Sequence, residues 1–181
     1  MEFKQGAGLA QRLILATVCA LSYPISAAAA TDLPVYPAAK TQPMTGNGHM
    51  GASRCGHTFT VEKSLTVDAD PHAVAKWYGS RLPGSRTIDL SRVLSGGDSY
   101  QKTTIQVFAA DGAQTVVVSR MYFHGTFAGA SKTLGMDTTN IGIESISPPL
   151  APEYIALTAQ LAAGGASAQR AQQQMEATCK D

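Results

Sequence analysis

The chain has 181 residues with 14 Lys and Arg against 13 Asp and Glu, which gives a formal net charge of +1. This balance excludes nucleic-acid binding by a basic surface, and no polybasic cluster predicts attachment to an anionic membrane. The length is enough for one hydrophobic core and requires no second domain.

The first thirty residues have the three zones of a secretory signal peptide. Lys4 and Arg12 give a positive start, and residues 13–25 form an apolar stretch that leads into a run of small residues. Small residues before the cut are what signal peptidase requires. We therefore predict cleavage after Ala30, with Thr31 as the new N-terminus, and a periplasmic or secreted mature protein.

Two alternatives to a cleaved signal peptide are weaker. A retained anchor needs about 20 mainly apolar residues, and Pro24 interrupts a run that is already shorter. A lipidated cysteine at Cys19 would follow the bulky Val18 and would lie deep in the apolar stretch. We therefore expect no stable membrane insertion after cleavage, and a mature chain that is formally neutral because two cations and one anion are removed with the leader.

Two cysteines, Cys55 and Cys179, remain in the mature chain. In an exported protein an even pair favours a disulfide. The alternative is two free thiols, with Cys179 on a frayed C-terminal tail, because a sequence does not show whether the two Cα atoms lie within bridging distance.

Residues 31–57 contain recurrent prolines and a glycine-rich stretch, which predicts an irregular N-terminal arm. A strand is predicted over residues 58–67, where apolar and polar residues alternate with many β-branched side chains. Lys63 breaks the apolar set and therefore suggests a sheet edge or a strand end at that point.

A helix is predicted to follow Asp70. Asp70 is a good N-cap, and Pro71 suits the first helical position because its missing N–H needs no partner there. Apolar residues then recur at helical spacing on one face, namely Val74, Trp77, Tyr78 and Leu82. Pro83 and Gly84 end the helix.

A β-hairpin is predicted next, with strands over residues 100–109 and 114–123. Asp111 and Gly112 between them form the pair that tight turns favour. The second strand is apolar on both faces, which indicates a central position. The order strand, helix, strand, strand predicts an α+β core over residues 58–128, with a small antiparallel sheet packed by one main helix.

The rest of the chain carries weaker signals. Residues 129–152 are predicted to be a loop with a possible short strand at 141–146. Two helical segments, 153–163 and 166–180, are separated by a pair of glycines and form a helical tail (153–181). The apolar stripe of this tail is weak, so the tail is expected to dock lightly or to be held by the disulfide.

Parts of the sequence resemble small secreted bacterial proteins and lipoproteins of unknown function. The shared features are residues 33–37 just after the cleavage site, a Thr-rich strand, the Asp70–Pro71 helix start and the Trp77–Tyr78 pair before a hairpin. The resemblance covers roughly residues 33–123. It implies an α+β fold and an exported or cell-envelope location, and it brings no known activity.

A metal site at His49, Cys55 and His57 is one candidate chemistry, because these residues form a local cluster of soft ligands. Their spacing is not one of the standard zinc patterns. A disulfide cysteine flanked by loop histidines is the favoured alternative, and no cofactor is predicted.

Three further candidates are weaker. Ser99 and Lys102 match a Ser-x-x-Lys pattern but enter a strand rather than a helix. A catalytic triad from Ser53, Cys55, His57 and Asp68 has no supporting motif, since triads are recognised by geometry. Trp77 and Tyr78 would line a ligand groove if they are not core residues.

The favoured function is an exported non-enzymatic α+β module that binds a partner, such as an envelope protein, or supports the cell envelope. The alternative is a small hydrolase or metal-dependent enzyme that uses the region of His49, Cys55 and His57.

Overall fold

The structure is a computed structural model that describes residues 32–42, 51–94, 100–127, 130–135 and 138–179. Its elements in chain order are β1 (Lys40–Thr41), β2 (Gly51–Arg54), β3 (His57–Val67), α1 (Pro71–Gly79), β4 (Arg86–Asp89), α2 (Ser91–Leu94), β5 (Tyr100–Phe108), β6 (Gln114–Phe127), β7 (Ala130–Gly135), β8 (Thr139–Ser147), α3 (Pro152–Ala163) and α4 (Gly165–Thr178). The fold class is α+β, as the sequence predicts.

The strands of the described residues form one antiparallel sheet. Its main path runs β1-β3-β8-β6-β5-β4, while β2 also pairs with β3 and β7 pairs with β6. The predicted hairpin is present as β5 and β6, with Val107 opposite Val116. The apolar β6 lies between β5 and β8, and this confirms its central position.

Helix α1 begins at Pro71, directly after its N-cap residue Asp70, as predicted. Both the His72 and Ala73 backbone N–H groups donate to Asp70 Oδ1, at 2.9 and 3.0 Å, and Pro71 is the first helical residue. These bonds satisfy two of the N–H groups that a helix start leaves unpaired. The buried face of α1, which includes Val74 and Tyr78, packs on the first face of the sheet.

The first face of the sheet holds the larger core. Alternate residues of four strands contribute to it, because side chains of a strand point to opposite faces in turn. The sheet members are Leu65, Val67, Ile105, Val107, Val116, Val118, Ile141 and Ile143. Leu82, just beyond α1, and Leu33 from the N-terminal arm complete this core.

The second face of the sheet is covered by the C-terminal helices. Its core contains Phe108 and Ile146 from the sheet and Ile155 from α3. Helix α3 contacts β4 and α2 as well as α4, so the two C-terminal helices form a hairpin over this face. The predicted helical tail is therefore a structural layer, and the sheet lies between α1 on one face and α3–α4 on the other.

Strands also form in the N-terminal arm, predicted to be irregular, and in the segment 129–152, predicted to be a loop with a possible short strand at 141–146. The N-terminal arm supplies β1 and β2, which pair with opposite halves of β3. The segment 129–152 supplies β7 and the nine-residue β8, which lies between β3 and β6. The sequence signal of β8 was weak because Gly142 interrupts its apolar residues, and because Ile146 faces the side opposite to Ile141.

The expectation that β3 ends or forms an edge at Lys63 is wrong. The strand continues through Lys63, which pairs with Ile143 of β8 after a shift of register that follows Val61. A bulge of this kind re-aims a side chain without ending the strand. Lys63 then forms an ion pair with Asp32 and donates to the carbonyl oxygen of Leu33 at 3.2 Å.

Candidate functional site

A half-enclosed cavity of about 410 Å³ lies between the second face of the sheet and the C-terminal helices. This volume falls within the range of roughly 300–1,000 Å³ that small-molecule sites occupy. Its lining is largely apolar or aromatic, from Phe59, Val61, Leu90, Val93, Phe108, Val117, Leu150, Tyr154, Leu161 and Met175. Polar side chains complete it, namely Lys102, Thr104, Gln106, Glu144 and Thr158.

The floor of the cavity follows from the alternation of the strands. On β5 every second residue faces the cavity, so Lys102, Thr104, Gln106 and Phe108 form one row. The neighbouring strand β6 adds Val117, which is paired with Gln106 and with Gly142 of β8. Because Gly142 has no side chain, it leaves space in the middle of the floor.

The distances from a Cβ added at Gly142 to its nearest atoms show how much space lies above this residue. Its nearest neighbours would be Glu144 Oε1 at 3.8 Å and Val117 Cβ at 4.0 Å, which is ordinary van der Waals contact. Both of these residues line the cavity. A larger side chain at position 142 would therefore project into the cavity without a clash at its Cβ.

Thr104 is held in the floor by the junction of β4 and α2. Its backbone N–H donates to Ser91 Oγ at 3.0 Å, and its carbonyl oxygen accepts from the Leu90 N–H at 2.8 Å. Its side-chain hydroxyl is buried and has no hydrogen-bond partner among the described residues. An unpaired buried hydroxyl costs about 1–3 kcal/mol of stability.

Asp89 fixes the other side of this junction. Its carboxylate accepts hydrogen bonds from the hydroxyl and the backbone N–H of Ser91. Partial burial raises the pKa of Asp89, but the Ser91 hydrogen bonds and the nearby His72 outweigh burial and hold the pKa below its ordinary value. The carboxylate is therefore charged at neutral pH and keeps Ser91 in place beneath the Thr104 backbone.

The roof of the cavity is the α3–α4 hairpin. Tyr154, Thr158 and Leu161 of α3 and Met175 of α4 face the sheet. The far end of α4 is tied down by a disulfide between Cys179 and Cys55, whose Cα atoms are 4.4 Å apart. The predicted cysteine pair is therefore bridged, and the bridge joins the β2–β3 turn to the roof.

The disulfide also decides the role of Cys55 in the proposed metal site. As a bridged residue, Cys55 offers no thiolate to a metal ion, and His49 lies outside the described residues. His57 donates from Nδ1 to the Pro148 carbonyl oxygen at 2.7 Å. Across the described ranges, no group of three or more His, Cys, Asp or Glu side chains is arranged to hold a metal ion.

Trp77 and Tyr78 lie on the opposite side of the sheet from this cavity. Tyr78 is completely buried in the first core, and burial raises the pKa of its hydroxyl. Trp77 is half-buried, with its ring 5.2 Å from that of Tyr36 and with the Arg81 guanidinium 3.6 Å above it. Packing and a cation–π contact therefore account for both rings, and neither lines the cavity.

The remaining sequence candidates are not brought together by the described structure. Ser99 and the predicted cleavage site at Ala30 and Thr31 lie outside the described residues. Asp68 is exposed in the turn before α1, whereas His57 begins β3, and the bridge occupies Cys55. Lys102, first noted for its Ser-x-x-Lys spacing, lines the cavity instead.

Comparison of the chain with family models, with curated proteins and with solved structures found no match. The resemblance to small secreted bacterial proteins of unknown function stays a prediction. No helix among the described residues is long and apolar enough to cross a membrane.

Proposed function

We propose that this protein is an exported, non-enzymatic binding module that holds a small apolar ligand between its sheet and its C-terminal helices. The observation that carries the proposal is the cavity of about 410 Å³ with a mainly apolar lining. Ligand sites of this kind combine apolar walls with a few fixed polar groups. Lys102, Thr104 and Gln106 are such polar groups on a regular strand.

The construction of the site supports binding rather than catalysis. Its floor is an antiparallel sheet, and its roof is fixed at one end by a covalent bridge. A preformed site of this kind reduces the ordering cost of binding. In the enzymatic alternative, which uses the region of His49, Cys55 and His57, the bridge leaves Cys55 without a thiolate to act as nucleophile or metal ligand.

Export is the second part of the proposal. A disulfide is typical of proteins that fold in an oxidising compartment, and the leader predicted over residues 1–30 would deliver the chain there. We expect the intact mass of the protein recovered from its producing cell to correspond to a chain starting at Thr31 and lacking two hydrogens at the bridge. A chain that retains Met1 and carries two free thiols would contradict export.

Filling the floor of the cavity tests the binding site. We expect the neutral fluorescent probe N-phenylnaphthylamine to bind the native protein saturably with one site per chain. Replacement Gly142→Val should weaken this binding by tenfold or more, because the added side chain occupies space between Val117 and Glu144. Thermal unfolding should be unchanged or higher, because a β-branched residue suits a strand better than glycine.

The variant Gly142→Ala is the matched control. It adds only the Cβ, which meets ordinary van der Waals distances, so probe affinity should fall between that of the native protein and that of Gly142→Val. Equal affinity in all three proteins, or no saturable binding in the native protein, would overturn the proposed function.

A further inference from the structure

We propose that the ligand is a neutral, flat compound of fused aromatic rings that lies between the sheet and the α3–α4 hairpin. This inference rests on the proposed binding function and names the ligand class. Three features of the cavity support it: the width of its floor, the aromatic side chains of its floor and roof, and the balance of its charges.

The floor of the cavity is wide, because it extends across four neighbouring strands. Val61 of β3 pairs with Glu144 of β8, and both line the cavity. Glu144 pairs in turn with Thr115 of β6, which pairs with Phe108 of β5, another lining residue. Val61 and Phe108 therefore lie in one row, three strand spacings apart, and a spacing of about 4.8 Å makes this width about 14 Å.

The floor also extends along the strands, so the cavity above it is shallow. Lys102 and Phe108 both line it and are six residues apart on β5, which is about 20 Å in a strand. A volume of about 410 Å³ over a floor that extends in both directions leaves little height between the sheet and the helices. A rigid flat ring system fills such a space at a lower ordering cost than a flexible chain, whose rotations are lost on binding.

Aromatic rings line both the floor and the roof of the cavity. Phe59 and Phe108 contribute from the sheet, and Tyr154 contributes from α3. Aromatic rings attract one another in offset-stacked or edge-to-face geometry, in addition to the effect of the apolar surface that they bury. A ligand of fused aromatic rings gains this contribution, whereas an alkyl chain gains only the burial of its surface.

The charges of the lining favour a neutral ligand. Among the lining residues, Lys102 supplies the cation and Glu144 the anion, so their formal charges cancel. Each of these two side chains already takes part in another interaction. The other lining side chains are apolar or uncharged, and a charged group buried among them would lose its hydration without gaining a partner, at a large cost in free energy.

The first experiment tests the shape of the ligand. Equilibrium dialysis measures the affinity of the native protein for 9-phenanthrol, a flat ring compound, and for nonan-1-ol, a flexible chain that also carries one hydroxyl group. Both affinities are corrected for the measured partition of the compound between water and octanol, so that the remaining difference reports shape rather than hydrophobicity. We expect 9-phenanthrol to bind at least about tenfold more tightly, because its rings are rigid and contact the aromatic side chains.

The second experiment tests the charge of the ligand. Phenanthrene-9-carboxylate and phenanthren-9-ylmethylammonium carry the same ring system as 9-phenanthrol with a negative or a positive group. We expect each of them to bind at least about tenfold more weakly than 9-phenanthrol at neutral pH, because its charge would be buried without a partner.

Substitution of Val61 tests whether the ligand extends across the sheet. Val61→Phe fills the β3 side of the floor, so the affinity for 9-phenanthrol should fall about tenfold. A flexible chain has room along β5, so the affinity for nonan-1-ol should change much less. Val35→Phe is the matched control, because Val35 is 45% exposed on the N-terminal arm, does not line the cavity, and should leave both affinities unchanged.

The outcomes separate the two proposals. Equal or tighter binding of nonan-1-ol or of either charged compound, or an unchanged 9-phenanthrol affinity in Val61→Phe, would overturn the neutral ring ligand. The binding function would still stand if N-phenylnaphthylamine binds saturably with one site per chain. Absence of binding by all four compounds, together with absence of saturable probe binding, would overturn both.

Discussion

Replacing both Cys55 and Cys179 by alanine is expected to lower the free energy of unfolding by as much as about 5 kcal/mol. The bridge joins residues separated by 124 positions. Closing a loop of this size restricts the unfolded chain by an amount that the chain-entropy model puts near 5 kcal/mol. Urea denaturation of the native and double-variant proteins measures the difference as a shift of the midpoint.

Three controls distinguish the bridge from side-chain effects at either end. Each single replacement should cost about as much as the double replacement, because either one opens the bridge. Native protein under reducing conditions should match the double variant, and reductant should leave the double variant unchanged. A loss of less than about 1 kcal/mol in the double variant would show that packing alone holds the ends of the loop together.

Loss of the bridge in the double variant should also affect ligand binding in the cavity. Cys179 ends α4, and Met175, one turn before it, lines the cavity. Without the bridge the end of the roof is held only by non-covalent contacts, so the affinity for N-phenylnaphthylamine should fall. An unchanged probe affinity would mean that α4 is not required for the ligand site.

The parts of the fold that were predictable depend on local signals. Asp70 and Pro71 define a helix start by residues that contact one another within a single turn, and the structure has those contacts. The Asp111–Gly112 turn is equally local, and its two strands pair around it. In each case the interaction that fixes the structure joins residues close in sequence.

The parts that were not predictable depend on distant partners. Strands β1 and β2 are short, and only their pairing with β3 makes them strands. The cavity also depends on elements that are distant in sequence. Lys102, Thr104 and Gln106 are the polar side of an alternating strand, a side that is usually exposed to water. This side of β5 becomes the floor of the cavity only because α3 and α4, which are far along the chain, cover it.

Gly112, in the turn between β5 and β6, lies against Leu150 in the segment that leads into α3. We expect Gly112→Ala to lower the free energy of unfolding by about 3 kcal/mol or more, for two reasons that act together. Gly112 has a φ of +69°, which costs a residue with a Cβ roughly 1–2 kcal/mol. In addition, an added Cβ would lie 2.1 Å from the carbonyl oxygen of Leu150, which is backbone and must move.

That movement would disturb two sets of contacts that Leu150 makes. The Leu150 N–H donates to the Gly112 carbonyl oxygen at 3.0 Å, and the Leu150 side chain is 2% exposed in the second core. Leu150 also lines the cavity and lies two residues before α3. The substitution should therefore weaken probe binding as well as stability.

The variant Gly165→Ala measures the cost of the left-handed backbone conformation without the clash that occurs at Gly112. Gly165 has nearly the same φ, +66°, but nothing lies within 4 Å of an added Cβ. Its replacement should cost only roughly 1–2 kcal/mol, because the left-handed conformation is then the whole of the cost. The difference between the two variants then measures the close approach of Leu150 to the turn. If both variants lose the same stability in urea denaturation, that approach contributes nothing, and the hairpin turn does not fix where the roof begins.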